Sequence, residues 1–219
     1  MIWLGEPHSA KSTMINSIAQ YTTVLTGNRG GRGTRYLAEV PIPSMNIIIV
    51  DCGGFILNSH YNPKLLCFLK KAMAGLPFSV DTIDGSKANK GWEVVASDPS
   101  RSVRHFCLTI RLEDFVREKT PKPWFGLKYE LWESQRLRDI IDVYRLITDD
   151  NNGRCVVMVT FMDHFPDISE DIVMEFMRGQ VHDGMVVCVH TVRHGEHRLL
   201  TAQSWGKVRS TLEDLRNLI

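Results

Sequence analysis

No stretch of this chain approaches the run of about 20 apolar residues that a bilayer-spanning helix needs, so no membrane span is expected. Met1-Ile2-Trp3-Leu4-Gly5 is too short for the apolar part of a secretory leader and has no basic residues before it. The five cysteines show neither a CxxC pair nor a paired spacing. That pattern argues against a secreted disulfide scaffold and for a reducing compartment, so a cytoplasmic location is expected. A net charge of +1 gives bulk electrostatics no preference for nucleic acid or an anionic membrane. His190, His194 and His197 have no second ligand cluster near them in sequence and read as solvated loop histidines rather than zinc ligands. Internal repeats and low-complexity linkers are missing too, so the 219 residues read as one α/β domain with a full core.

What is present is concentrated at the start. Gly5-Glu6-Pro7-His8-Ser9-Ala10-Lys11-Ser12-Thr13 follows a short apolar run, and Met14-Ile15-Asn16-Ser17-Ile18-Ala19 leaves it with helical apolar spacing. The segment matches the phosphate-loop pattern G-x-x-x-x-G-K-[ST], except that Ala10 stands at the second glycine. In such a loop, main-chain N–H groups and the helix dipole face the phosphates. Lys11 would reach the β- and γ-phosphates, and the Ser12 hydroxyl would coordinate Mg²⁺. If position 10 requires a positive φ, its Cβ costs about 1–2 kcal/mol. The alternative is an ordinary strand-to-helix turn with a surface lysine.

Asn46-Ile47-Ile48-Ile49-Val50 has the continuous apolar character of a strand buried on both faces, and it ends in Asp51-Cys52-Gly53-Gly54. Asp51 is placed to hold Mg²⁺, and Gly54 to offer its N–H to a γ-phosphate. A third apolar run, Cys155 to Val159, leads into Thr160-Phe161-Met162-Asp163. This turn is similar to the guanine-reading motif [NT]-K-x-D with Phe161 in place of lysine. Asp163 would accept two hydrogen bonds from guanine that adenine cannot donate; the alternative is an Asp that merely ends a strand. Phe161 would stack on the base but cannot brace the phosphate loop by charge. A fourth run, Met185 to Val189, ends in His190 and Thr191, where a base-side loop is expected.

In this order the segments resemble the translation-factor-like class of P-loop GTPases. Together with His105-Phe106-Cys107-Leu108-Thr109-Ile110, they are most similar to the interferon-induced protein 44 family of GTPase-like proteins. The resemblance implies a three-layer, Ras-like G domain, a mostly parallel sheet with helices on both faces. It also implies GTP or GDP and Mg²⁺ as ligands, a role in innate immune response, and a protein partner or homodimer. Members of that family often carry an upstream TLDc domain, and none precedes Met1, so a truncated form or an excised domain is expected. Residues 22–35 fall at switch I, where Thr34 is the chosen Mg²⁺ ligand and catalytic residue beside Lys11, with Thr22, Thr23 and Thr26 as alternatives. Arg29, Arg32 and Arg35 are candidate arginine fingers, or simply a flexible basic loop. Phe55 follows D-x-x-G where many GTPases place a water-orienting Gln. Hydrolysis, if it occurs, is therefore expected to be slow or conditional.

Helices are expected over Asn62–Ala74, Leu131–Thr148, Ser169–Arg178 and Trp205–Leu218, and a strand over Tyr36–Val40. Pro77–Val103 and Glu113–Glu130 exceed the minimal plan and read as a partner surface or lid anchored by Trp92 and Trp124, or as irregular loops. Two rival functions stay open: a degenerate, pseudo-GTPase interaction module, and an ATP-dependent P-loop enzyme.

Overall fold

A computed structural model describes residues 1–20, 38–52, 62–75, 102–119, 128–149, 153–181, 185–194 and 197–217. The apolar runs become the central strands. β1 (Ile2–Gly5), β3 (Ile47–Asp51), β4 (His105–Arg111), β7 (Arg154–Thr160) and β8 (Val186–Cys188) are mutually parallel, and β2 (Ala38–Ile42) runs antiparallel along β3. The six-stranded sheet has the order β2-β3-β1-β4-β7-β8.

Strand periodicity assigns the two faces. Ile2, Leu4, Phe106, Leu108, Ile110, Val157 and Val159 pack with helices α2 (Asn62–Met73), α3 (Gln135–Thr148) and α4 (Glu170–Arg178). Trp3, Ile49, Cys107, Val156 and Met158 pack with α1 (Lys11–Ala19) and α5 (Ala202–Asn217). The chain is thus an α/β protein with a mostly parallel sheet between two helical layers. Handedness explains the split. The β1-to-β3 connection moves one way along the sheet, and the β3-to-β4, β4-to-β7 and β7-to-β8 connections move the other way. Right-handed crossovers then place α1 opposite α2, α3 and α4.

A polar bond crosses the apolar interior: the Trp3 indole N–H donates to Thr109 Oγ1 at 2.7 Å, with both residues fully buried. Cysteines 52, 107, 155 and 188 are also buried, whereas Cys67 on α2 is exposed. Burial pushes the thiols of Cys107 and Cys188 up to about 12.

Several expected boundaries are corrected. The helix expected from Leu131 starts at Gln135, because Ser134 caps it by accepting from the Leu137 N–H at 3.0 Å. Leu131 instead belongs to β6 (Tyr129–Leu131), which pairs antiparallel with β5 (Val116–Glu118) in a stretch expected to be an insertion. The histidine segment after β8 is also no plain loop: β9 (Thr191–His194) and β10 (His197–Leu200) form a two-stranded hairpin. Ser169 is the cap of α4, and α5 begins at Ala202, ahead of Trp205. Trp92, Trp124 and most of the stretch 77–103 lie outside the described residues, as do Tyr36 and Leu37. No helix among the described residues is long and apolar enough to cross a membrane.

Replacing Thr109 by Val keeps the shape but leaves the indole N–H buried without its acceptor. The expected cost is about 1–3 kcal/mol, read as a lower urea midpoint with an unchanged slope.

Candidate functional site

The connections from the neighbouring strands β1 and β4 leave in opposite directions along the sheet, which opens a crevice at their carboxyl ends. Ligands of open α/β sheets bind at such a switch point. Loops after parallel strands all emerge on this edge. They bring together Gly5 through Ser9, Asp51, Arg111, Thr160 through Asp163, and His190 with Thr191.

The loop after β1 is closed by its own lysine. Lys11 Nζ donates to the carbonyls of Gly5 (3.0 Å) and Glu6 (2.8 Å), and the Ser9 hydroxyl donates to Glu6 O at 2.8 Å. Gly5 has φ +151°, and a Cβ there would lie 2.8 Å from Thr109 O and 3.0 Å from Ser9 Oγ. Only glycine fits that approach. His8 and Ala10 take positive φ angles of 62° and 67°. Ala10 therefore occupies the strained geometry anticipated for a glycine position. It is the N-cap of α1 without a side-chain cap, and the first turn carries no acid, so this positive helix end suits an anion. Pro7 and His8 are exposed beside it, and Thr13 is half-buried in the first turn. Burial lowers Lys11 to about 8, with Asp51 pulling in the opposite direction.

Ser12 and Asp51 meet: the Ser12 hydroxyl donates to Asp51 Oδ2 at 3.0 Å, and Asp51 is fully buried at the end of β3. A hydroxyl and one carboxylate suit Mg²⁺, which takes few protein ligands and completes its shell with phosphate oxygens and water. Thr34, Gly54, Phe55 and the switch I arginines lie outside the described residues. Among the described residues, no group of three or more His, Cys, Asp or Glu side chains gathers as a metal site.

On the other side of the crevice, Thr160 Oγ1 lies 3.2 Å from both Ser9 O and Ile110 O, so its one proton is shared between the loop after β1 and β4. This neutral tie stands where a lysine brace was missing. Phe161 has φ 61°, and its ring centroid lies 5.0 Å from that of His164. Asp163 is held by Thr191, whose hydroxyl donates to Asp163 Oδ1 at 3.2 Å, with the Thr191 N–H at 3.5 Å. His190 is turned to other partners: its N–H donates to Ser204 Oγ at 2.8 Å, and its Nε2 lies 3.0 Å from Glu170. Lys207 shares that same Glu170 carboxylate.

Sequence reading missed one cluster. Glu6 is a buried carboxylate, and its Oε2 lies 3.1 Å from Arg136 Nε and 3.9 Å from Arg111 Nη2. Both guanidiniums also pair with Asp114, at 2.6 Å from Arg111 and 3.3 Å from Arg136. The acidic loop residue is thereby neutralised from β4 and the first turn of α3 rather than left against an incoming anion. Arg111 at the end of a buried strand was a usable signal. Nothing local marked Arg136.

No protein-family model matches this chain, and no curated protein is significantly similar to it. The functional reading therefore rests on the site.

Replacing Ala10 by Gly relieves the positive-φ strain. A gain of about 1 kcal/mol in unfolding free energy is expected, read from denaturant curves. A loss would mean that the Ala10 side chain contributes packing that outweighs the strain.

Proposed function

We propose that this chain is a guanine-nucleotide-binding protein of the P-loop GTPase class, with slow or conditional hydrolysis, that acts as a nucleotide-dependent switch. The observation that carries the reading is the buried Lys11 ammonium, which closes a loop at the N-terminus of α1 beside the Ser12–Asp51 pair. Support also comes from the sheet. An antiparallel strand edges an otherwise parallel set, and the loop sits at its switch point. Lys11 and the first N–H groups of α1 would neutralise the β- and γ-phosphates. Mg²⁺, held by Ser12 and Asp51, would neutralise the same oxygens. Asp163, oriented by Thr191, would select guanine. Thr34 completes the metal set in this reading. The narrower likeness to the interferon-induced protein 44 family, with its immune role and a protein partner or homodimer, extends the proposal and rests on sequence texture.

A second reading, the pseudo-GTPase module, is favoured by one observation: Ala10 holds a strained glycine geometry in the loop.

Titration calorimetry with a non-hydrolysable GTP analogue and Mg²⁺ separates them. Micromolar or tighter binding that Lys11→Ala abolishes supports the switch, and absence of heat at millimolar analogue supports the module. Asp163→Asn should erase the preference for GTP over ATP, and an unchanged preference removes Asp163 as the base reader. Binding should also take up a proton. Free Lys11 titrates near 8 because it is buried, and a phosphate beside it raises that value. Affinity should therefore fall as pH rises above 8. Calorimetry in two buffers of different ionisation enthalpy reads the uptake.

A further inference from the structure

Away from this site, a groove of about 630 Å³ runs between the β5–β6 hairpin and α4. Tyr129, Leu131, Ile168, Ile172 and Phe176 give it an apolar lining, and Asp171 and Glu175 stand along its helical rim. Its walls are held by aromatic contacts. Phe115 stacks on Phe176 with centroids 6.0 Å apart, and Phe165 meets Tyr129 edge-on at 5.2 Å. Ile172 is 38% exposed, although it lies on an apolar wall.

The opposite wall is a strand edge. Lys119 N donates to Lys128 O and Trp132 N donates to Phe115 O, each at 3.0 Å. Antiparallel bonding alternates along a pair. With Arg117 opposite Glu130 in register, the main-chain N–H and C=O of Tyr129 and Leu131 face away from β5. Among the described residues no further strand pairs with β6 on that side. Such an edge invites a further strand.

We propose that this groove binds an extended, basic segment of a partner protein, which adds to β6 as a third strand. Alternate apolar side chains of the segment rest on Ile172 and Phe176, and basic residues flanking them meet Asp171 and Glu175. The dimensions agree. Tyr129 to Leu131 spans about 7 Å of strand, and Asp171 to Phe176 about 7.5 Å of helix, so a short extended segment matches the length of either wall of the groove. A helical occupant would cover the main-chain groups of Tyr129 and Leu131 without satisfying them, a desolvation that a strand avoids. Three carboxylates, Glu130, Asp171 and Glu175, line the groove against one ammonium, Lys119, so a basic segment is selected over an acidic one. Nothing in this inference depends on nucleotide binding.

The test uses the full chain and a fluorescein-labelled octapeptide of alternating valine and threonine flanked by lysines. Saturable binding by anisotropy is expected, with amide hydrogen exchange slowed at Tyr129 and Leu131. N-methylation of alternate peptide amides should weaken binding about tenfold or more in one register and little in the other, because only one set of N–H groups meets β6. Glutamate in place of the flanking lysines should also weaken binding, and Glu175→Lys should reverse that order. Ile172→Glu, at an exposed position that leaves the fold intact, should weaken it as well. The proposal is overturned by no saturable binding, or by binding that leaves Tyr129 and Leu131 unprotected. Equal loss in both N-methyl registers overturns it too. Self-association of the chain that Ile172→Glu abolishes would overturn it in favour of a second copy in the groove.

Discussion

The arrangement at the carboxyl edge depends on β1 being enclosed on every side. It has β3 and β4 as neighbours and a helical layer on each face, and Ile2, Trp3 and Leu4 are fully buried. The chain leaving such a strand turns into α1 with Gly5 and Glu6 still buried, where their inward carbonyls need partners from the protein. Gly5 makes the turn pass close to β4, and the Lys11 ammonium takes up the two carbonyls that the turn directs inward. A charge is normally costly in such a place. Here the carbonyls, with Asp51 nearby, offset part of the desolvation, and the remainder shows in the lowered Lys11 value. The same burial that defines the fold thus sets the chemistry of its loop.

Charge around the loop is arranged in layers. Glu6 points its carboxylate to Arg136 and Arg111, which lean in turn on Asp114. The loop after β1 is thereby tied to β4, to the start of α3 and to the residues that lead into the β5–β6 hairpin. Thr160 fastens it from the opposite side through Ser9. A loop with two non-glycine residues at positive φ needs restraint of this kind, since nothing local prefers that backbone.

Much of the core was legible because its signals are long. His105–Arg111 and Arg154–Thr160 are runs whose apolar character reports two-sided burial, whereas the run from Ile47 is buried only from Ile49 onward, with Ile48 exposed; the Ile140, Ile141, Tyr144 and Ile147 stripe marks a helix. The meeting of Ser12 with Asp51 followed from placing strand ends on one edge, whereas the tie from Thr160 to Ser9 had no sequence signal. The hairpins were not legible. β5 and β6 have three residues each, too few for an alternation to stand out, and β9 and β10 mix His, Arg and Thr with single apolar residues. The Glu6–Arg136 pair was illegible for a different reason: its partners are separated by 130 positions, and Arg136 lies in no motif. The start of α3 was placed too early, at Leu131, which stands off the apolar stripe that begins at Leu137; Ser134, a favoured cap, marks the true boundary.

The distribution of thiols has a practical consequence. Cysteines 52, 107, 155 and 188 are enclosed, and their raised values keep them in the unreactive protonated form, whereas Cys67 stands on the outer surface of α2. The folded chain therefore carries a natural single attachment point for a maleimide dye or spin label. Uptake of further label equivalents would count the molecules whose interior has opened, so one reagent reports both the position of α2 and the integrity of the sheet beneath it.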